Sequence, residues 1–448
     1  METPIRRFRL SVFHPPYKLL NQWIATAVNS GVEDLDVKLR YWHINTRRLC
    51  PFSMSGNASA DFAPSDTNMY TRTHRRIFGC PTLRRLRLKN WTLDLPSSVA
   101  MDSLETLCLA RIMDPERLLQ KLVSSCPRLI DLTLQECPSI KDISVPSPRL
   151  QSFVMICCHN ATSVELRTTC LQSLHYKGGL PPRKSSFFTV ANYQGIKAAT
   201  IEICEYLCSK GSGEVAPLTG LIRRCTELAY LHLSLAPSMA YYSSMFTSVL
   251  RDLRSLTHLS LQGCLPTDHA IRSVSALLVN TRNLEVLSIF PLVERWSDYS
   301  DAESDIDSDG EWDTDSDDGS DTDADASSYS GPYGESDTEP DIQLDTEPKD
   351  SATNNGIEYS SQIPESLWRT YVRCLDRSVR RINIGNYEGR SLEKMLARFL
   401  LSRAAALEEF SVTLAPGLYR QKDEIALELA SWRQNRCTRV TCKLWQKI

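Results

Sequence analysis

Large apolar residues recur along this chain in the pattern L-x-x-L-x-L. Clean copies fall at Leu83/Leu86/Leu88, Leu104/Leu107/Leu109, Leu129/Leu132/Leu134, Leu228/Leu231/Leu233, Leu256/Leu259/Leu261 and Leu284/Leu287/Ile289. Two of them run on to a cysteine three residues later, Cys137 and Cys264. Looser copies start at Ile5, Val32, Leu150, Leu171, Val379 and Leu407. The last two apolar positions of each triplet are two apart, so each triplet predicts a short strand with one buried face. Where the interval is long, the intervening segment reads as a helix. Asp114-Pro115-Glu116 supplies an N-cap, a first-turn proline and an acid ahead of Leu118, Leu119, Leu122 and Val123. Residues 17–30 carry Leu20, Ile24, Ala27 and Val28 and stop at Gly31, while 267–279 carry Ile271, Val274 and Leu278 after Thr267 and Asp268.

Adjacent triplets start 27, 21, 25 and repeatedly 28 residues apart. That interval is the length of a leucine-rich repeat, one strand plus one helix or turn. The expected fold is therefore α/β: a leucine-rich-repeat solenoid with parallel strands on the concave face and helices or turns on the convex face. Between Leu129 and Leu171 looser triplets begin at Ile140, Leu150 and Ala161, only 10–11 residues apart. No helix fits there, and strands joined by tight turns are expected, with Pro146 and Pro148 at one of them.

Charge changes this picture at one place. The 448 residues carry a net charge of −3, but residues 301–350 hold 20 acids and one base, leaving 50 bases against 34 acids elsewhere. A basic body of +16 is thus interrupted by a tract of −19. The interval from Leu284 to Val379 is 95 residues; removing the low-complexity stretch 296–359 leaves 31, about one repeat. The tract is therefore expected to be a long disordered acidic insertion within a continuing solenoid. The helix of the interrupted repeat is expected over 364–376, with Leu367, Tyr371, Val372 and Leu375 on one face. The organisation predicted is a solenoid over 1–295, with an irregular insertion at 55–79, the acidic loop 296–359, and last repeats over 360–448. Asp305-x-Asp307-x-Asp309-Gly310 imitates the start of a calcium loop, but position twelve is Ser316 rather than glutamate. Ser304, Ser308 and Ser336 each have an acid three residues on and are candidate sites for an acid-directed kinase, against the plainer reading of an unmodified solubilising loop.

At this point the residues resemble a known family. Cys80-Pro81-Thr82-Leu83-Arg84-Arg85-Leu86 and Cys126-Pro127-Arg128-Leu129-Ile130-Asp131-Leu132 look like the C-P-x-L-x-x-L units of plant F-box leucine-rich-repeat proteins. Val379-Arg380-Arg381-Ile382-Asn383-Ile384 through Tyr387 and Gly389 resembles the start of the plant FBD domain. Leu392-Glu393, Phe399-Leu400-Leu401, Leu407-Glu408 and a final helix with Ile425, Leu429 and Trp432 fit its continuation. The resemblance implies a receptor that holds a protein substrate on its repeats while an N-terminal F-box binds the Skp adaptor of a cullin ubiquitin ligase. The sequence departs from that pattern at the F-box: the first triplet starts at Ile5 and no such segment precedes it. Either the chain is truncated upstream or this member lacks the adaptor-binding half, so a Skp-type adaptor is expected only where an F-box is restored. A scaffold without ligase role is the alternative, and chromatin or nucleic-acid association ranks below both.

Strand alternation places the residues beside each central leucine on the concave face. These are Arg7/Arg9, Asp34/Asp36, Arg85/Arg87, Thr106/Cys108, Asp131/Thr133, Tyr230/His232 and His258/Ser260. Arg7 with Asp34 and Arg9 with Asp36 read as ion pairs between neighbouring rungs. Arg85, Arg87, Asp131, Thr133, Tyr230, His232, His258 and Ser260 are the candidate partner-binding residues, because Arg and Tyr are frequent interface anchors. No phosphate loop, nucleophile elbow or zinc-protease motif occurs, so no enzyme and no cofactor are expected. Fifteen cysteines without a secretory signal suggest free thiols in cytoplasm or nucleus, and no membrane span is expected. Cys157-Cys158-His159 and Cys204-x-x-x-Cys208 are the closest groupings, and neither has two ligand pairs at zinc spacing. Cysteines next to the triplets read as packing residues, and no metal is expected.

Overall fold

The computed structural model describes residues 5–14, 16–41, 70–182, 186–204, 214–238, 242–265, 267–292 and 369–444. Each triplet becomes one rung. Leu83 closes the turn ahead of a strand at Arg85–Lys89, and Leu86 and Leu88 point from that strand into the core, where all three are buried. The residues between them face the other way. Repeating this unit builds one parallel sheet from β1 (Arg7–Phe13), β2 (Asp34–Arg40), β3 (Arg85–Lys89), β4 (Thr106–Ala110) and β5 (Asp131–Gln135). It continues, past three strands that leave for a second sheet, through β7 (Ser152–Ile156), β9 (Ser173–Gly178) and β11 (Ala198–Ile203). β12 (Tyr230–Ser238), β13 (His258–Cys264), β14 (Val286–Leu292), β15 (Arg381–Tyr387), β16 (Glu409–Leu414) and β17 (Arg439–Leu444) complete the fourteen strands seen among the described residues. The architecture is the α/β leucine-rich-repeat array expected from the triplets.

The strands leave the sheet through a common corner. His14, Asn90, Arg111, Glu136 and Cys157 each follow a strand with φ between +42° and +62°. Each donates its backbone N–H to the last residues of the next rung, as Asn90 does to the Ala110 carbonyl at 3.0 Å and Arg111 to Gln135 at 2.8 Å. The left-handed conformation costs about 1 kcal/mol or more for a residue with a side chain. Asn90 offsets this by donating Nδ2–H to the Leu39 carbonyl at 2.6 Å inside the core. Hydroxyls perform the matching task at the other end of the rung: Thr82, Ser147, Thr168 and Thr438 donate to the carbonyls of Val32, Leu129, Leu150 and Leu407 at 2.8–3.0 Å.

The helices cover the leucine face. α1 (Tyr17–Asn29) buries Leu20, Ile24 and Ala27, and Gly31 beyond it takes φ +74°, as the glycine stop requires. α2 (Glu116–Ser124) buries Leu119, Leu122 and Val123. Asp114 does not cap it; its carboxylate accepts the Leu93 N–H at 2.7 Å, tying the helix entry to the preceding repeat. α3 (Ala216–Arg224), α4 (Tyr242–Asp252) and α5 (Asp268–Val279) follow, and Ile271, Val274 and Leu278 of α5 are fully buried. In the interrupted repeat α6 spans Arg373–Arg377; residues 370–372 ahead of it are not helical, so the helix expected over 364–376 is broken there, and 364–368 lie outside the described residues. Val372 and Leu375 are buried, but Tyr371 is 58% exposed and precedes the helix. α7 (Ser391–Arg403) and α8 (Lys422–Ser431) back the last strands, α8 burying Ile425 and Leu429.

Between α2 and α3 the helices give way to a second sheet. β6 (Asp142–Val145), β8 (Ser163–Leu166) and β10 (Phe188–Val190) pair in parallel. Each 10–11-residue interval is thus half a repeat, one strand in each sheet. Tyr176, standing where a leucine is usual, meets Phe187 and Phe188 edge to face at 5.2 and 5.6 Å.

Two expectations about insertions are refined. Residues 55–69 lie outside the described residues, but 70–79 are not irregular: Arg72 bridges Thr92, and a 3-10 helix at Arg75–Gly79 buries Ile77 and Phe78 completely. The acidic tract, including Ser304, Ser308 and Ser336, also lies outside them. The strands on its two sides are neighbours, with Val286 opposite Arg381 and Ile289 opposite Ile384, so the sheet does continue across it.

Candidate interaction surface

With leucines on the core side, the intervening positions form three rows across the open face. The first runs Arg7, Asp34, Arg85, Thr106, Asp131, Ser152, Ser173, Ala198, Tyr230, His258 in register. The second places Arg9, Asp36, Arg87, Cys108, Thr133, Val154, His175, Thr200, His232 and Ser260 beside it. All the residues read as concave-face candidates therefore do share that face.

They do not share one patch. Arg85 and Arg87 are on β3, while Tyr230, His232, His258 and Ser260 are on β12 and β13. Five strands intervene, about 29 Å at the usual inter-strand spacing. At the N-terminal end Asp34 is ion-paired with three guanidinium groups, those of Arg7 at 3.3 Å, Arg87 at 3.5 Å and Arg85 at 3.8 Å. Asp34 and Asp36 are buried under these cations although they stand on the open face. Burial raises the Asp36 carboxyl, against the pull of Lys38, Arg87 and Arg9. Arg7, Arg9, Lys38, Arg85, Arg87 and Lys89 outnumber the two aspartates, so this end is cationic. The expected rung pairing thus extends to Arg85 and Arg87. Asp131 accepts the Thr106 hydroxyl at 3.2 Å, and burial pushes the Cys108 thiol up to about 11.

The centre holds a group that the triplets did not expose. Glu202 on β11 accepts from His175 Nε2 at 2.9 Å and from Lys177 Nζ at 3.1 Å, both on β9. Burial acts to raise the Glu202 carboxyl, but the His175 hydrogen bond and Lys177 together outweigh it and hold it down to about 2. Next to it His232 lies 2.7 Å from the Ser260 hydroxyl, and burial lowers its proton affinity. His232 also lies 6.4 Å from the ring of Phe290, which is 36% exposed and covers Gly385: a Cβ there would sit 2.5 Å from the ring. Tyr230 is 39% exposed. Tyr230, His232, His258 and Phe290 thus make an aromatic area beside a half-buried, compensated ion cluster. Phe290 was hidden because it falls one rung position beyond the triplet. His175 flanks the looser triplet that starts at Leu171 and obeys the same alternation, whereas Glu202 was hidden because Ala199 replaces a leucine in its strand.

The cysteines divide into two kinds. Cys80, Cys126, Cys137, Cys225 and Cys264 are buried, as packing residues should be. Cys126 and Cys225 donate to the carbonyls of Leu122 and Leu221, and burial pushes both thiols up to about 12. Cys157, His159 and Cys204, however, converge: their ligand atoms all lie within 4.8 Å of one another, although Cys157 and Cys204 are 47 residues apart. Linear spacing could not reveal this group.

Among the described residues no helix is long and apolar enough to cross a membrane. Residues 61–213 match a family model described as "FBD-associated F-box protein At5g56370, LRR repeats". An 87-residue stretch is 37% identical to the F-box/FBD/LRR-repeat protein At5g56420 of Arabidopsis thaliana, covering 18% of this chain. The chain aligns with about 20% of that relative's length. Both matches support the resemblance to plant F-box/LRR/FBD proteins seen in the triplets.

Proposed function

We propose that this chain is a protein-recognition module of the F-box/LRR/FBD type, holding a protein partner on the open face of its sheet and performing no catalysis. The observation that carries the reading is the face itself, fourteen rungs among the described residues, whose exposed positions change from cationic at β1–β3 to aromatic at β12–β14. Interfaces concentrate their energy in aromatic and arginine anchors, and this face presents both. We further propose a place as substrate receptor of a Skp–cullin ubiquitin ligase in cytoplasm or nucleus, with the adaptor contact supplied by an F-box joined upstream. The family matches support this role; the face supports only the substrate-holding half of it.

Affinity capture from plant extract tests both halves. The full chain is compared with the Tyr230→Ala/Phe290→Ala variant and with an F-box-extended chain. A partner retained by wild type and reduced at least about tenfold by the variant is expected. The Skp adaptor is expected with the extended chain. Capture undiminished by the face variant would show that the partner binds elsewhere. Absence of the adaptor from the extended chain would leave an interaction scaffold.

A further inference from the structure

We propose that Cys157, His159 and Cys204 form a zinc site at the exit edge of the open face. The three residues are delivered by the backbone pattern described above. Cys157 occupies the left-handed corner after β7, with φ +52°, and donates its N–H to the Lys177 carbonyl at 2.6 Å. Cys204 follows β11 and donates to the Gly178 carbonyl at 2.8 Å. Both thiols are therefore fixed on either side of the end of β9. Corner side chains of adjacent rungs meet elsewhere in the row too: Arg111 and Glu136 are paired at 2.6 Å. Cys157 is the next member of that row, and its chemistry differs. Its neighbour Cys158 points the other way and donates to the Leu134 carbonyl in the core.

The separations fit a metal better than a disulfide. Two thiolates bound to tetrahedral zinc at about 2.3 Å stand about 3.8 Å apart. The observed Sγ···Sγ distance is 3.9 Å. A disulfide needs about 2.0 Å between sulfurs and Cα atoms within about 6.8 Å. The strands that deliver these cysteines are separated by β9, so they lie two spacings apart, about 9.6 Å. The imidazole nitrogen is within 4.8 Å of both sulfurs, so a turn of the ring closes the group. Two thiolates and an imidazole are the soft donors that select zinc, whereas hard cations need oxygen ligands. The charge also balances, because two thiolates neutralise the dication. Lys177, the nearby cation, is already paired with Glu202, so the dication meets no uncompensated positive charge. Among the described residues three side chains make up the group, which leaves a fourth tetrahedral position open to water. Bound zinc would clip β7 to β11 across β9 and stiffen the rung that carries the His175–Glu202–Lys177 cluster.

The test uses the reduced full chain and zinc chloride alone. Thiol alkylation is followed by peptide mass spectrometry. One equivalent of zinc is expected to slow modification of Cys157 and Cys204 at least about tenfold, with Cys170, an exposed thiol, unaffected. Cobalt(II) in place of zinc should give a thiolate-to-cobalt charge-transfer band that saturates at one equivalent. Cys157→Ser/Cys204→Ser should abolish the band, and Cys170→Ser/Cys437→Ser should retain it. Equal alkylation with and without zinc, a cobalt band of full intensity in Cys157→Ser/Cys204→Ser, or a Cys157–Cys204 disulfide that persists in reduced, zinc-loaded protein would each overturn the assignment. The alkylation arm needs no variant, so misfolding of a mutant cannot obscure the result.

Discussion

Glu202→Gln is the sharpest probe of the central cluster. The carboxylate accepts from His175 and Lys177 within 3.1 Å and is largely shielded from solvent. Its folded-state pKa falls from the ordinary 4.5 to about 2. A depressed carboxyl contributes stability that is present above its unfolded value and lost as pH falls through its folded value. The difference of about 2.5 units corresponds to at most about 3 kcal/mol near neutral pH. Of this, about 2 kcal/mol should disappear between about pH 5 and about pH 3. Glutamine keeps an oxygen acceptor for one donor but removes the charge that compensates Lys177. The variant should therefore be about 2 kcal/mol less stable near neutral pH, and it should converge on wild type near pH 3. Urea unfolding followed by far-UV circular dichroism at a series of pH values measures both quantities. If wild type and Glu202→Gln lose stability in parallel from pH 5 to pH 3, the cluster does not hold the carboxylate as described.

Asp114 works in the opposite sense. Burial raises its carboxyl to about 6, so the stability it allows below its ordinary pKa is lost as pH rises through 6. Asp114→Asn keeps an acceptor for the Leu93 N–H and should gain about 2 kcal/mol at pH 7 after allowing for solvent screening, with a flatter pH profile in thermal melts. Asn90→Ala removes both the bond to Leu39 and the side chain that tolerates φ +62°, and should cost about 2 kcal/mol in denaturant titration. Gly385→Ala should cost about 1–3 kcal/mol by driving a Cβ into the Phe290 ring. Combined with Phe290→Ala the penalty should largely vanish, so additive costs in that double variant would contradict the packing described.

The period of the array was legible because each leucine position is satisfied by one geometry, a rung with alternating faces. Leu86 and Leu88, or Leu259 and Leu261, announce their strands without help. β11 and β17 escaped because Ala199 and the pair Val440/Cys442 fill those positions with residues that carry little leucine signal. The second sheet was half visible: spacing excluded helices at Ile140 and Ala161, but local sequence cannot say which of two parallel sheets a short strand joins. Asp114 was misread for a related reason, since an acid before a proline is a good cap until a better donor, the Leu93 N–H, arrives from another repeat. Face membership of Arg85, Tyr230, His232 and His258 followed from alternation, whereas Phe290 over Gly385 and the meeting of Cys157 with Cys204 depend on contacts between rungs.

The adjacency of β14 and β15 has a thermodynamic corollary. Eighty-eight residues connect Leu292 to Arg381, where twenty-one connect Cys264 to Val286. Closure entropy grows only as the logarithm of contour length, so this fourfold excess costs about 1 kcal/mol relative to an ordinary connection. The rungs on both sides hold their register through direct pairing, Val286 with Arg381 through Ile289 with Ile384. Distance along the chain is therefore a weak handicap to the pairing of β14 with β15, and their register is set by the rungs themselves.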